Sequence, residues 1–98
     1  MPLTFVLSGP LRELAGNRDQ VEVELPDGGG AASSVADALS LLWRRCPSFR
    51  DRVITEQGEL RPHLNIFVDG ESIRFSGGFA TPVRPNSEIF ILPALSGG

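Results

Sequence analysis

Ile89-Phe90-Ile91-Leu92, followed by Pro93 and the ending Ala94-Leu95-Ser96-Gly97-Gly98, is the strongest strand signal in the sequence and governs how the rest is read. A buried strand that runs out through a proline into small residues makes a presented tail. Gly97 and Gly98 have no side chains, so the backbone there can pass through a channel too narrow for other residues. The ending also offers a carboxylate that no neighbouring side chain obstructs. Chain ends are commonly small and polar without any function, so what precedes the tail decides its meaning.

Working back from this strand, 76–86 reads as loop, punctuated by Pro82 and Pro85. Its Gly77-Gly78 repeats the tail's dipeptide but is internal, carries no carboxylate and reads as a turn. Before it, His63-Leu64-Asn65-Ile66-Phe67-Val68 is a strand that ends in the hairpin signal Asp69-Gly70, and Ser72-Ile73-Arg74-Phe75 is a short strand pairing back on it. At the other end of the chain, Leu3-Thr4-Phe5-Val6-Leu7-Ser8 places Leu3, Phe5 and Leu7 on one face of a strand. Gly9-Pro10 breaks it, and 11–16 forms a helical turn or loop. Gln20-Val21-Glu22-Val23-Glu24-Leu25 then alternates, with Val21, Val23 and Leu25 inward and the glutamates toward water, as in an antiparallel strand with one wet face. These two strands make an N-terminal hairpin.

Between the two strand pairs lies the one clear helix. Ser34 is its N-cap and Asp37 completes a capping box. Val35, Ala38, Leu39, Leu42 and Cys46 form its buried stripe, and Pro47 ends it. The preceding Gly28-Gly29-Gly30 lacks both the Gly-Lys-Ser/Thr ending of a P-loop and the third glycine of a dinucleotide fingerprint, so it is a connection. Residues 49–61 are charged and irregular, which reads as a solvated surface. The order is thus strand, strand, helix, strand, short strand, strand, and the helix must cover one face of a mixed sheet to bury its stripe. A central final strand parallel to the first gives the α+β β-grasp, or ubiquitin-like, arrangement of four to five strands; periodicity alone leaves a ferredoxin-like rival open.

Bulk properties exclude several classes of function. Ninety-eight residues, 41% of them hydrophobic, form a single domain (1–98, with 93–98 as tail). No apolar run approaches membrane-spanning length, and Met1-Pro2-Leu3-Thr4 does not begin a secretory signal. A net charge of −3 argues against a nucleic-acid surface. The single cysteine excludes an internal disulfide framework and fits a reducing cytoplasm. All nine basic residues are arginine. Without lysine the protein cannot be its own acceptor in isopeptide chains, nor run Schiff-base chemistry on a lysine.

Other candidate residues read as structural. His63 shares no spacing with a second ligand-type residue, and no metal site is expected. Cys46 on the helix stripe is a small core residue rather than a sulfur relay. Trp43 is half-buried beside that stripe, and Phe67, Phe75, Phe79 and Phe90 are core candidates. Phe75 and Leu92, if exposed on the open face of the sheet, form with Leu95 an apolar patch on which a partner docks. Arg61 and Arg74 read as solvated arginines, with steering of an acidic partner surface as the alternative.

Three stretches together resemble the ubiquitin-like sulfur carriers of the MoaD/ThiS superfamily. They are Leu11-Arg12-Glu13-Leu14-Ala15-Gly16, the hairpin from Asn65 to Phe75, and the ending from Ile91 to Gly98. The stretch Ile73-Arg74-Phe75-Ser76-Gly77-Gly78 resembles most the CysO-like carriers that deliver sulfur for cysteine synthesis. The resemblance implies a co-substrate rather than an enzyme, with no bound cofactor. A ThiF/MoeB-like adenylating partner would use ATP to activate the Gly98 carboxylate, which a sulfur donor would convert to a thiocarboxylate. Gly97 and Ser96 would give the tail access to both partners' sites. The acceptor would be a cysteine-synthase-like enzyme or, in a molybdopterin pathway, a MoaE-like large subunit. A secondary-metabolite carrier, a ubiquitin-like protein modifier and a plain interaction module are the remaining readings.

Overall fold

A computed structural model describes residues 3–7, 10–24 and 33–93. Its elements are β1 (Leu3–Leu7), α1 (Pro10–Leu14), β2 (Gln20–Val23), α2 (Val35–Arg45), α3 (Arg50–Val53), β3 (Leu64–Val68), β4 (Glu71–Ser72) and β5 (Glu88–Pro93). The five strands form one sheet in the order β2-β1-β5-β3-β4. β5 therefore lies at the centre, parallel to β1 and antiparallel to β3. A final strand inserted beside the first, with a helix crossing one face, is the β-grasp arrangement that the strand order implies, and it removes the ferredoxin-like rival.

Period-two patterning builds the core from one face of this sheet. Leu3, Phe5, Leu7, Val21, Val23, Leu64, Ile66, Val68, Ile89 and Ile91 are all buried, and α2 lays Val35, Ala38, Leu39 and Leu42 over them. Each Val, Leu, Ile or Phe side chain among them taken from water contributes about 1.5–3 kcal/mol. Residue Leu25, read as inward on β2, lies outside the described residues.

α2 starts where the sequence places its start. The Asp37 amide donates to Ser34 Oγ at 3.3 Å, and the Ser34 amide donates back to Asp37 Oδ2 at 2.9 Å. The helix stops at Arg45, because Pro47 opens a 3-10 turn, Pro47–Phe49. Cys46 is consequently not on the buried stripe: it is the half-buried C-cap residue, its amide donating to the Leu42 carbonyl. Ser34→Ala should cost about 1 kcal/mol in denaturant unfolding, whereas Ser34→Asp should cost little.

The segment 49–61 departs most from its reading as a solvated surface. Phe49 and Val53 are completely buried, and they sit four residues apart so that the Pro47–Phe49 turn and α3 point both inward. The charged residues between them, Arg50, Asp51 and Arg52, are exposed. An Ile54–Leu60 bridge closes the rest of the segment, with the Thr55 amide donating to the Glu59 carbonyl at 2.7 Å.

The hairpin β3–β4 forms through the expected Asp69-Gly70 turn, where both residues have positive φ (49° and 90°) as a tight turn of this hand requires. β4 is only two residues long, and Ser72–Phe75 is not the strand that alternation implies. Ser72 Oγ accepts from the Arg74 amide at 3.3 Å, and this local bond rolls Ile73–Phe75 into a 3-10 turn. Ile73 turns into the core and Phe75 turns out. The aromatic assignments change accordingly: Phe5 and Phe49 are the buried phenylalanines, Phe67, Phe79 and Phe90 are half-buried, and Phe75 is 86% exposed.

Candidate functional site at the root of the tail

The site is defined by where β5 ends. Its last residue, Pro93, pairs with Leu64 at the start of β3, and Leu92 pairs with Asn65. The central strand thus delivers the chain to one end of the sheet. Leu95, Ser96, Gly97 and Gly98 lie outside the described residues.

The sheet face away from α2 carries Thr4 and Val6 of β1, Phe90 and Leu92 of β5, and Asn65 and Phe67 of β3, all half-buried. Phe90 sits in register between Val6 on one neighbour and Phe67 on the other. Such cross-strand apolar pairs contribute roughly 0.2–1 kcal/mol each and present a continuous apolar row. Leu92 is on this face and is half-buried there. Phe75 is exposed but stands on the 3-10 turn at the β4 edge, so it does not share a strand face with Leu92.

Between them lies a contact the sequence reading missed. Arg74 Nε donates to Asn65 Oδ1 at 2.9 Å and its Nη2 donates to the Leu64 carbonyl at 3.1 Å. Arg74 is therefore clamped to the two residues that pair with Leu92 and Pro93. Arg61 is also tied down, its Nε donating to the Asp51 carbonyl at 2.7 Å. Neither is the simply solvated arginine expected. No sequence signal could have revealed this, because each acceptor is distant along the chain or is a backbone carbonyl.

The opposite end of β5 is anchored by Asp69. Its carboxylate accepts from Ser87 Oγ at 3.0 Å and from the Glu88 amide at 2.9 Å, while its own amide donates to the Glu88 carbonyl at 2.9 Å. This fixes where the central strand begins, and hence where it ends. Asp69→Ala leaves the buried Ser87 hydroxyl and the strand's first amide without that acceptor. It should lower unfolding free energy by about 1–3 kcal/mol.

Among the described residues no group of three or more His, Cys, Asp or Glu could hold a metal ion. No helix of those residues is long and apolar enough to cross a membrane. His63 is exposed just before β3.

Comparison with known proteins identifies the frame. The ThiS family model matches residues 5–98. Small archaeal modifier protein 1 of Haloferax volcanii is 36% identical over 96 residues, covering 98% of this chain and 100% of that protein. The sulfur carrier protein CysO of Mycobacterium tuberculosis is 46% identical over 41 residues, which are 42% of this chain and 44% of that protein. A chain in the crystal structure of the Amycolatopsis orientalis BexX/CysO complex superimposes with a TM-score of 0.81 at 27% identity, covering 98% of this chain and 99% of its own length. With the fold, the matched range and these relatives agreeing, the chain belongs to the ThiS family, among the small β-grasp sulfur carriers and ubiquitin-like modifiers.

Proposed function

We propose that this single-domain chain is a cytoplasmic sulfur carrier that works through the carboxylate of Gly98. The observation that carries the reading is the continuity of β5 with the ending: the central strand of a ThiS-family fold leads through Pro93 into Ala94-Leu95-Ser96-Gly97-Gly98. An α-carboxylate is ionised at neutral pH and is a poor electrophile. A ThiF/MoeB-like enzyme converts it with ATP to an acyl adenylate, releasing pyrophosphate. Sulfide, or a persulfide reduced afterwards by a thiol, attacks the acyl carbon. The C–O bond to AMP breaks, AMP leaves with the electron pair, and Gly98 ends as a thiocarboxylate. The carrier binds no cofactor itself; ATP belongs to the partner.

Gly97 and Ser96 give the tail its slender profile, and Leu92, Leu95 and Phe75 are the apolar contacts offered to partners. Resemblance to CysO-like carriers favours cysteine biosynthesis as the destination, through a cysteine-synthase-like acceptor. A MoaE-like large subunit would instead make this chain the small subunit of a molybdopterin synthase. Semisynthesis tests the destination: the thiocarboxylate form, made by intein thiolysis, is mixed with the cysteine-synthase homologue and an activated serine. Cysteine, bound to the carrier or free, should form as thiocarboxylate disappears. An unconsumed thiocarboxylate would contradict the cysteine assignment.

A second reading has its own observation. The similarity to small archaeal modifier protein 1 spans 98% of this chain and all of that protein. The same adenylate, captured by a lysine amine of a target protein, would make this chain a modifier. The absence of lysine disfavours chains of the modifier on itself.

A further inference from the structure

We propose that Arg52, Arg61 and Arg74, with His63 beside them, form a cationic collar around the root of the tail that receives an acidic segment of the protein engaging that tail. This rests on the carrier reading for the identity of the partner, while the collar itself stands on geometry. Leu64 is the common point. It pairs with Pro93, its carbonyl accepts from Arg74, its amide donates to the Arg61 carbonyl at 3.0 Å, and His63 precedes it. Arg74 reaches the Leu64 carbonyl, and the adjacent His63 lines, with Asp51, Arg52 and Arg61, a cleft of about 340 Å³.

The chain as a whole carries a net charge of −3, so this concentration of positive charge is local. The Asp51 carboxylate that also lines the cleft is engaged by Arg50 at 3.7 Å, and among the described residues Arg52, Arg61 and Arg74 form no ion pair. Arg61 and Arg74 are held instead by neutral acceptors, the Asp51 carbonyl, the Leu64 carbonyl and the Asn65 amide oxygen. Those bonds orient each guanidinium without cancelling its charge. Less side-chain entropy is then lost when a carboxylate arrives. Glu56 and Glu59 occur on the same segment but do not line the cleft.

An acidic body with a positive collar at one point has a direction. A partner with aspartates or glutamates beside its active-site channel attracts the collar and repels the remaining surface, so the chain approaches tail first. The overall negative charge opposes nucleic acid or an anionic membrane as occupant.

The test uses the full ¹⁵N-labelled chain titrated with a hexaglutamate peptide, with inorganic phosphate and a single-stranded oligonucleotide as comparators. Shifts should concentrate at Arg52, Arg61, His63, Leu64, Asn65 and Arg74 and weaken with salt. R52E, at an exposed residue whose side chain makes no hydrogen bond among the described residues, and R61Q should each weaken peptide binding by about tenfold. In ATP–pyrophosphate exchange with the adenylating enzyme of the same genome, R52E should raise the KM for the carrier by about tenfold and leave kcat unchanged. Equal or stronger response to phosphate or oligonucleotide, or binding unaffected by R52E and R61Q, overturns the proposal. Collar shifts from a chain that the enzyme never adenylates would uphold the collar and sink the carrier reading. Normal exchange, with no peptide shifts and an unchanged KM in R52E, would do the reverse.

Discussion

Deleting Gly98 is expected to abolish ATP–pyrophosphate exchange by the adenylating partner, and Gly97→Val to reduce it by about 100-fold or more. The deletion moves the carboxylate one residue, roughly 3.3–3.6 Å, short of the position at which it must meet the α-phosphorus of ATP. The valine brings a branched side chain where the backbone must thread a channel, and misplacement of a reacting atom by about 1 Å already costs on the order of 100-fold. Both changes lie beyond Pro93, the last residue of β5. The unfolding midpoint should therefore stay at the wild-type value. A shifted midpoint would place the defect in the fold, and undiminished exchange would show that the ending does no chemistry.

Phe49→Ala should destabilise the protein by about 3–5 kcal/mol, the range for truncating a fully buried aromatic side chain. Phe49 is 0% exposed and belongs to the same cluster as Leu42 and Val53. A domain of this size has about 5–15 kcal/mol in all, so the variant should lose a large part of its stability. Phe75→Ala provides the contrast, with an effect within about 0.5 kcal/mol on unfolding because the ring is exposed. Urea titration of the two variants reads both. Equal midpoints would refute the burial assigned to Phe49.

These two phenylalanines mark what was legible in the sequence and what was not. Strands β1, β2, β3 and β5 could be read because each buries alternate residues against α2, and a period of two survives in the text. The capping box at Ser34 and the Asp69-Gly70 turn are local chemistry, so they too were visible. Phe49 and Val53 were hidden by their neighbours: Arg50, Asp51 and Arg52 separate them, and only a 3-10 turn followed by a single helical turn brings both inward. Thr81 and Val83 are buried in what composition marks as loop, and Ser87 just after it. They are held by non-local bonds, such as the Val35 amide to the Thr81 carbonyl at 2.9 Å and the Val83 amide to the Ser33 carbonyl at 3.1 Å. Ser72 ended its strand early through one hydroxyl, and that exposed Phe75 in place of burying it.

At the candidate site the division is similar. Leu92 falls on the open face because its strand buries Ile89 and Ile91 on the other. The clamping of Arg74 onto Leu64 and Asn65 was not legible, since it depends on the 3-10 turn that alternation failed to anticipate. Asp69 was read as a turn residue only. Its carboxylate also fixes the first amide of β5, and so helps set the point at which the chain leaves the sheet.

The central claim is tested most directly by the intact mass of the protein after incubation with ATP, sulfide and the adenylating enzyme. The account predicts a gain equal to exchanging one oxygen for sulfur, localised to the C-terminal peptide and absent when Gly98 is deleted. An unchanged mass, with an enzyme shown to activate another carrier in the same tube, would contradict it.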